Sequence, residues 1–221
     1  MTLRLKGTTG FTEIEAPAAA GNNTLTLPTS NGSAGQVLKN SSTAGELEFG
    51  AIATSALPTG AILQVRATYV DTPDSQAITA NTRVNISQLS VNITPTTLTS
   101  NMLVFVRWNG ESSLSGQYDS VFGLRRGSTD LGLQSSVGNR ATGMQMTAVG
   151  HWASNADSTP DSANWFYLDE EDRTASGQIT YNATVIYNQN STLYNQRTVG
   201  STDGVTFERP TSSILVMEVA A

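Results

Sequence analysis

The 221-residue chain contains no cysteine. Disulfides, thiolate metal sites and cysteine nucleophiles are therefore excluded. Histidine is almost as scarce: His151 stands alone, so any Ser-His-Asp arrangement would have to use it, and no Gly-x-Ser-x-Gly elbow accompanies it. Beside Trp152 at an expected strand end, this histidine reads as a packing or surface residue. Charged side chains make up only 14% of the sequence, with a net charge of −6, so the cationic footprint that nucleic-acid binding needs is missing. No apolar run approaches the roughly 20 residues of a membrane helix. Met1-Thr2-Leu3-Arg4-Leu5-Lys6 is not followed by an apolar stretch of signal-peptide length. Neither glycine-rich nucleotide-binding motif occurs, and no Asp-x-Asp-x-Asp-Gly loop suggests calcium. The expectation is a protein with no cofactor, no metal, no nucleic-acid partner and no membrane partner.

Gly, Ser, Thr and Asn are abundant, with 19 glycines, and apolar residues recur at strand spacing. Composition changes near residue 60. In residues 1–59 the apolar residues Leu3, Leu5, Phe11, Ile14, Leu25, Leu27, Val37, Leu38 and Phe49 are split by Gly, Pro, Ala and Ser. They are spread too thinly to close a core. Short strand-like pieces fall at 12–15, 24–27 and 36–39, and Asn31-Gly32 is a turn signal because both residues tolerate positive φ. This segment is expected to be an extended N-terminal anchoring arm and linker that gains order by lying on another protein.

Residues 60–221 show strand patterning. Strands are expected over 61–70, 83–93, 102–109, 118–125, 143–152, 164–168, 177–187, 193–199 and 213–219. In 83–93 the apolar phase slips between Ile86 and Leu89, which implies a bulge, and Pro95 ends the run. In 102–109 Met102, Val104, Val106 and Trp108 share one face while Leu103 and Phe105 share the other, so both faces are expected to be partly covered. The last strand, Ile214-Leu215-Val216-Met217-Glu218-Val219, is too apolar for an edge and is expected to pair centrally, near Ile62 and Val65. Many short strands and no 3.6-residue periodicity predict an all-β fold, a jelly-roll-like antiparallel β-sandwich. Turns are expected at Asn109-Gly110, Gly127-Ser128, Gly138-Asn139, Asp157–Asp161 and Asp203-Gly204, and Asp157 and Asp161, around Pro160, are weaker carboxylate candidates.

Candidate chemistry is sparse. Asp169-Glu170-Glu171-Asp172 is the densest acidic run. Paired carboxylates could act as acid and base or hold calcium, but the run directly follows Trp165-Phe166-Tyr167-Leu168 and reads more simply as a solvated turn. Arg125-Arg126 reads as surface cations on a loop. Trp108, Tyr118, Trp152 and Tyr194 form the candidate glycan platform, because aromatic faces stack on sugar C–H groups. Core or interface packing is the competing account of the same residues.

Two stretches resemble a known family. Residues 3–49, with Gly7-Thr8-Thr9-Gly10-Phe11-Thr12-Glu13-Ile14, Thr24-Leu25-Thr26-Leu27-Pro28 and Gly45-Glu46-Leu47-Glu48-Phe49, are similar to a segment of tailed-phage virion proteins of the marine phage and cyanophage type. Residues 61–221, through Ile62-Leu63-Gln64-Val65, Leu103-Val104-Phe105-Val106, Trp165-Phe166-Tyr167-Leu168-Asp169 and Ile214-Leu215-Val216-Met217-Glu218-Val219, resemble a C-terminal domain of such proteins. The resemblance implies a virion location after synthesis in the host cytoplasm. It also implies a homotrimer bound to a major capsid protein or to tail or neck proteins, and no enzymatic activity. The absence of shaft repeats points to a capsid decoration (cement) protein or a short head or tail fibre. Host-receptor glycan binding is the alternative.

Overall fold

The computed structural model describes residues 3–6, 8–14, 24–113, 119–135, 138–146, 158, 160–171, 176–200, 202, 204–205 and 207–221, with the backbone alone for 3–6 and 11–14. The chain divides into two compact units, Met1–Ala56 and Leu57–Ala221.

Among its described residues the first unit contains two antiparallel strand pairs. β1 (Leu3–Lys6) pairs antiparallel with β2 (Phe11–Ile14), and β3 (Val37–Asn40) with β4 (Leu47–Gly50). Thr26 forms a parallel bridge to Glu46, through Thr26 N–H to Gly45 O at 2.7 Å and Leu47 N–H to Thr26 O at 2.8 Å. Gly45 has φ +83°, and a Cβ there would press on the Thr24 carbonyl, so glycine is required for this bridge. The expected turn at Asn31-Gly32 lies elsewhere. Gly35, at φ +81°, makes the reversal, with Gln36 N–H bonded to Ser33 O. Gly32 instead accommodates the Phe49 ring, which occupies the space a Cβ would fill. A 3-10 turn, η1 (Thr54–Ala56), closes the unit.

The second unit is an antiparallel sandwich with jelly-roll connectivity. The front sheet contains β5 (Ile62–Val70), β6 (Asp74–Ile78), β8 (Asn101–Ser112), β12 (Asp161–Asp169), β14 (Ser191–Asn195) and β15 (Ser212–Val219). The back sheet contains β7 (Val84–Ile93), β9 (Ser120–Arg126), β10 (Thr129–Leu131), β11 (Gln145–Met146) and β13 (Ile179–Tyr187). The front order is β12-β8-β15-β5, with β14 and β6 continuing the last two positions along β8. The back order is β10-β9-β13-β7. The chain changes sheet between β6 and β7, β7 and β8, β8 and β9, β11 and β12, and again on either side of β13. That crossing pattern is the double Greek key of a jelly roll.

The strands follow their residue patterns. Met102, Val104, Val106 and Trp108 of β8 face inward and are buried. β15 lies between β5 and β8, with Met217 opposite Val65 and Val219 opposite Ile62, as its hydropathy requires. The slip in β7 is a bulge: Gln88 takes φ +64°, and the β7–β13 register shifts between Asn182 and Thr184. Between the sheets, Phe122 of β9 stacks on Trp108 at 4.9 Å and on Trp165 at 5.7 Å.

Three expectations are corrected. Asn109-Gly110 is no turn, because β8 runs on to Ser112. Gly110 is where β14 approaches so closely that any Cβ would strike the Tyr194 carbonyl. Arg125 and Arg126 stand within β9, not on a loop. Gln196, with φ +56°, ends β14 before the expected 199. Strands β6 and β10 were not expected. Residues 147–157, which include much of the expected 143–152 strand, lie outside the described residues.

Candidate functional site

The most unusual surface of the sandwich is the outer face of the front sheet. Successive residues of a strand point to opposite faces, so each register fixes a row across the sheet. One row reads Phe166, Phe105, Leu215, Ala67 from β12 to β5, and the next reads Leu168, Leu103, Met217, Val65. Phe166 is 68% exposed and Phe105 41%, and their rings meet at 6.0 Å. Ile62 and Tyr69 extend the exposed apolar surface along β5. The adjoining row, Asn164, Arg107, Ser213 and Tyr69, is mostly polar, and its Arg107 donates to Thr211 Oγ1 at 3.3 Å.

The outer face of the back sheet is polar and bonds to itself. Arg125 donates to Asp130 at 2.8 Å and to Asn85 Oδ1 at 3.1 Å, and Thr180 donates to Asn92 Oδ1 at 2.7 Å. The Arg83 guanidinium lies over Gly123, donating to Thr184 Oγ1 at 3.1 Å and to the Thr142 carbonyl. Burial lowers the Arg83 pKa, partly opposed by Asp130.

A second apolar surface belongs to the N-terminal unit. None of residues 24–56 is buried. Of the expected arm residues, Leu25 and Leu27 are 63% and 67% exposed, and Val37, Leu38 and Phe49 are also exposed. The backbones of Leu3, Leu5, Phe11 and Ile14 lie in β1 and β2, and their side chains lie outside the described residues.

The candidate acid–base and glycan residues fare differently. Asp169 is not in a solvated turn. It is buried at the end of β12, held by both carboxylate oxygens on Arg126 Nη1 at 2.8 Å and by Tyr181 O–H at 2.6 Å. Glu171 also accepts from Arg126, Glu170 is exposed, and Asp172 lies outside the described residues. Trp108 is fully buried, donating Nε1–H to Asn195 Oδ1 at 2.8 Å, so its ring face is closed to a sugar. Tyr194 is half-buried, with the Arg197 guanidinium 5.2 Å from its ring centre. Tyr118, Trp152 and His151 lie outside the described residues. Of the candidate platform, the described residues are Trp108 in the core and Tyr194 beside Arg197.

The front sheet holds two further buried carboxylate sites: sequence reasoning passes over Glu218, and it places Asp161 in a turn where the structure has it buried at the start of β12. Glu218 accepts hydrogen bonds from Gln64 at 2.6 Å, Ser100 Oγ at 2.6 Å, and Thr96 N–H and Oγ1–H at 2.7 and 2.8 Å. Burial alone would raise its pKa, but these donors outweigh burial and hold it below the ordinary value. The carboxylate thereby ties the segment between β7 and β8 to the last strand. Asp161 is the opposite case: burial, reinforced by the nearby Glu111 charge, pushes it up to about 6. Its Oδ2 has no hydrogen-bond partner, and Tyr187, whose hydroxyl meets Ser112 Oγ, is raised by the same burial. Among the described residues, no group of three or more His, Asp or Glu side chains is placed to hold a metal.

Comparison with models of known protein families finds no match to this sequence, and no curated protein matches it.

Proposed function

We propose that this chain is a non-enzymatic structural subunit of a tailed-phage particle, a capsid decoration (cement) protein or a short head or tail fibre. In this reading the N-terminal unit docks on other virion proteins and the jelly-roll head is displayed in several copies. The observation that carries the reading is the outward placement of Leu25, Leu27, Val37, Leu38 and Phe49 in a unit whose described residues 24–56 include no buried side chain. Ordering each residue costs on the order of 1–2 kcal/mol in backbone entropy, and a segment with no interior offsets little of it. A partner surface that covers these side chains supplies the missing stabilisation, as added strands or extended contacts do elsewhere.

The resemblance of residues 3–49 and 61–221 to virion segments gives the partner its class. The saturated carboxylate of Asp169 favours a structural over a catalytic role for the acidic run. Glycan binding by the head has less to stand on, because Trp108 is in the core and Arg197 lies against Tyr194.

The test is a full-length variant carrying Leu25→Ser, Leu27→Ser, Leu38→Ser and Phe49→Ser. The head should melt as in the wild type while incorporation into particles is lost. Unchanged incorporation would contradict the reading.

A further inference from the structure

We infer that the outer face of the front sheet is a self-association surface, on which a second copy of this chain docks face to face. The proposal names the partner for the multi-copy assembly above, and makes it a two-fold pair where the resemblance implies a homotrimer. Pairing in dilute solution tests it without particles, so a chain that pairs but joins no particle would leave it standing and overturn the particle reading.

The first argument is area. The outer face spans four strands about 4.8 Å apart and about eight residues of roughly 3.3 Å rise, roughly 500 Å² per copy, with the two apolar rows at its centre and Asn164, Arg107 and Ser213 on its polar rim. Two such faces bury roughly 1,000 Å² in all, the size at which a specific interface becomes credible. Scattered exposed apolar residues need no partner, whereas the largest contiguous patch on a protein, a few hundred Å² across, is often a contact site.

The second argument is shape. Side chains shrink across the row, from Phe166 and Phe105 on one side to Leu215 and Ala67 on the other. A two-fold axis running parallel to the strands, between β8 and β15, sets β12 of one copy over β5 of the other. Phe166 then lies over Ala67 of the second copy, and Phe105 over Leu215. Large meets small along the whole row, so the graded face is complementary to itself, as an isologous contact requires. Sheets pack in this manner about 10 Å apart inside sandwiches, with a twist near 30° between strand directions. The same axis offsets the two Arg107 side chains to opposite sides, each opposite Ser213, so like charges are not forced together. The outer face of the back sheet lacks this logic, because its polar groups already bond to one another.

Sedimentation equilibrium of the full-length chain decides the matter. Wild type should sediment at twice the chain mass. Phe166→Glu and Ala67→Arg, at opposite ends of the row, both on exposed positions and facing each other across the pair, should each weaken pairing by at least about tenfold, as a charge set against an apolar side chain in a contact does. Thr180→Glu, on the back face, should leave pairing intact. Unchanged near-ultraviolet circular dichroism checks that each variant folds. A wild type at single-chain mass would mean that a different protein or the chain's own N-terminal unit covers the face, and would overturn the proposal. So would a three-chain mass, or a pair that either front-face substitution leaves intact.

Discussion

The two sheets of the head divide polarity in opposite ways. The back sheet is conventional: Phe122, Leu124, Tyr181, Ala183 and Val185 point inward, and Asn85, Asn92, Thr180 and Arg125 point outward. The front sheet is partly inside out. It buries Glu111, Asp161, Asp169 and Glu218, which are all of the buried charged side chains among the described residues, and it exposes Phe105, Phe166 and Leu168. Burying a carboxylate is costly unless hydrogen bonds or a cation compensate it, and exposing a phenylalanine forgoes its transfer energy. A sheet that does both is shaped for something besides its own stability. The contrast teaches that the front sheet answers to a contact outside the monomer, while the back sheet answers to water.

The largest expected effect lies where the sheets depend on each other equally. Phe122→Ala removes the ring wedged between Trp108 and Trp165 and should cost about 3–5 kcal/mol in denaturant unfolding. A much smaller loss would mean that the sheets are not joined through this cluster.

Next comes a substitution that should stabilise the front sheet. Asp161 has its pKa raised from 3.8 to about 6. The folded chain therefore holds that proton where the unfolded chain releases it, and stability falls as pH rises from about 4 through about 6. Above that window Asp161→Asn should gain on the order of 2 kcal/mol over wild type, and below pH about 4 nearly nothing. Thermal melts across this range check it, and a gain independent of pH would contradict the assigned cause.

The back face should lose about 1–2 kcal/mol on Arg83→Ala, because Thr184 and the Thr142 carbonyl lose their donor. Urea unfolding measures it, and an unchanged midpoint would show that the polar network is not holding this sheet. The smallest stability effect is expected at Phe166→Ser, within about 0.5 kcal/mol for the isolated chain, since an exposed ring stabilises the monomer little. A large loss there would mean that the front face packs within the monomer after all.

Much of the head was legible in its sequence, for identifiable reasons. β8 and β15 are long alternating runs with both faces apolar, which marks them as central. The phase slip between Ile86 and Leu89 located the bulge. What hydropathy could not decide was which face of such a strand turns inward. In β12, Asp161 and Asp169 point in while Phe166 and Leu168 point out, an assignment set by partners far away in the chain such as Arg126 and Tyr181. Arg125 and Arg126 were misplaced for the same reason: their carboxylate partners turn them into strand residues. Gly110 looked like a turn because close approach by another strand and reversal of the chain both demand glycine. Asp161 and Glu218 carry no local motif at all, so only the fold reveals their opposite titration. In residues 24–56 the apolar side chains are thinly spread and none is buried, and the pairing of the short strands there carries no local pattern that marks it.

Hydroxyl-radical footprinting of the assembled full-length protein tests the central claim, that the apolar face of the front sheet is covered by contact. Phe105, Phe166 and Met217 should be protected in the wild-type assembly and labelled in the Phe166→Glu background at the positions that remain. Val121 and Ile186, on the outer side of the back sheet, should react alike in both. Equal labelling of Phe105 and Met217 in the two proteins would contradict the account.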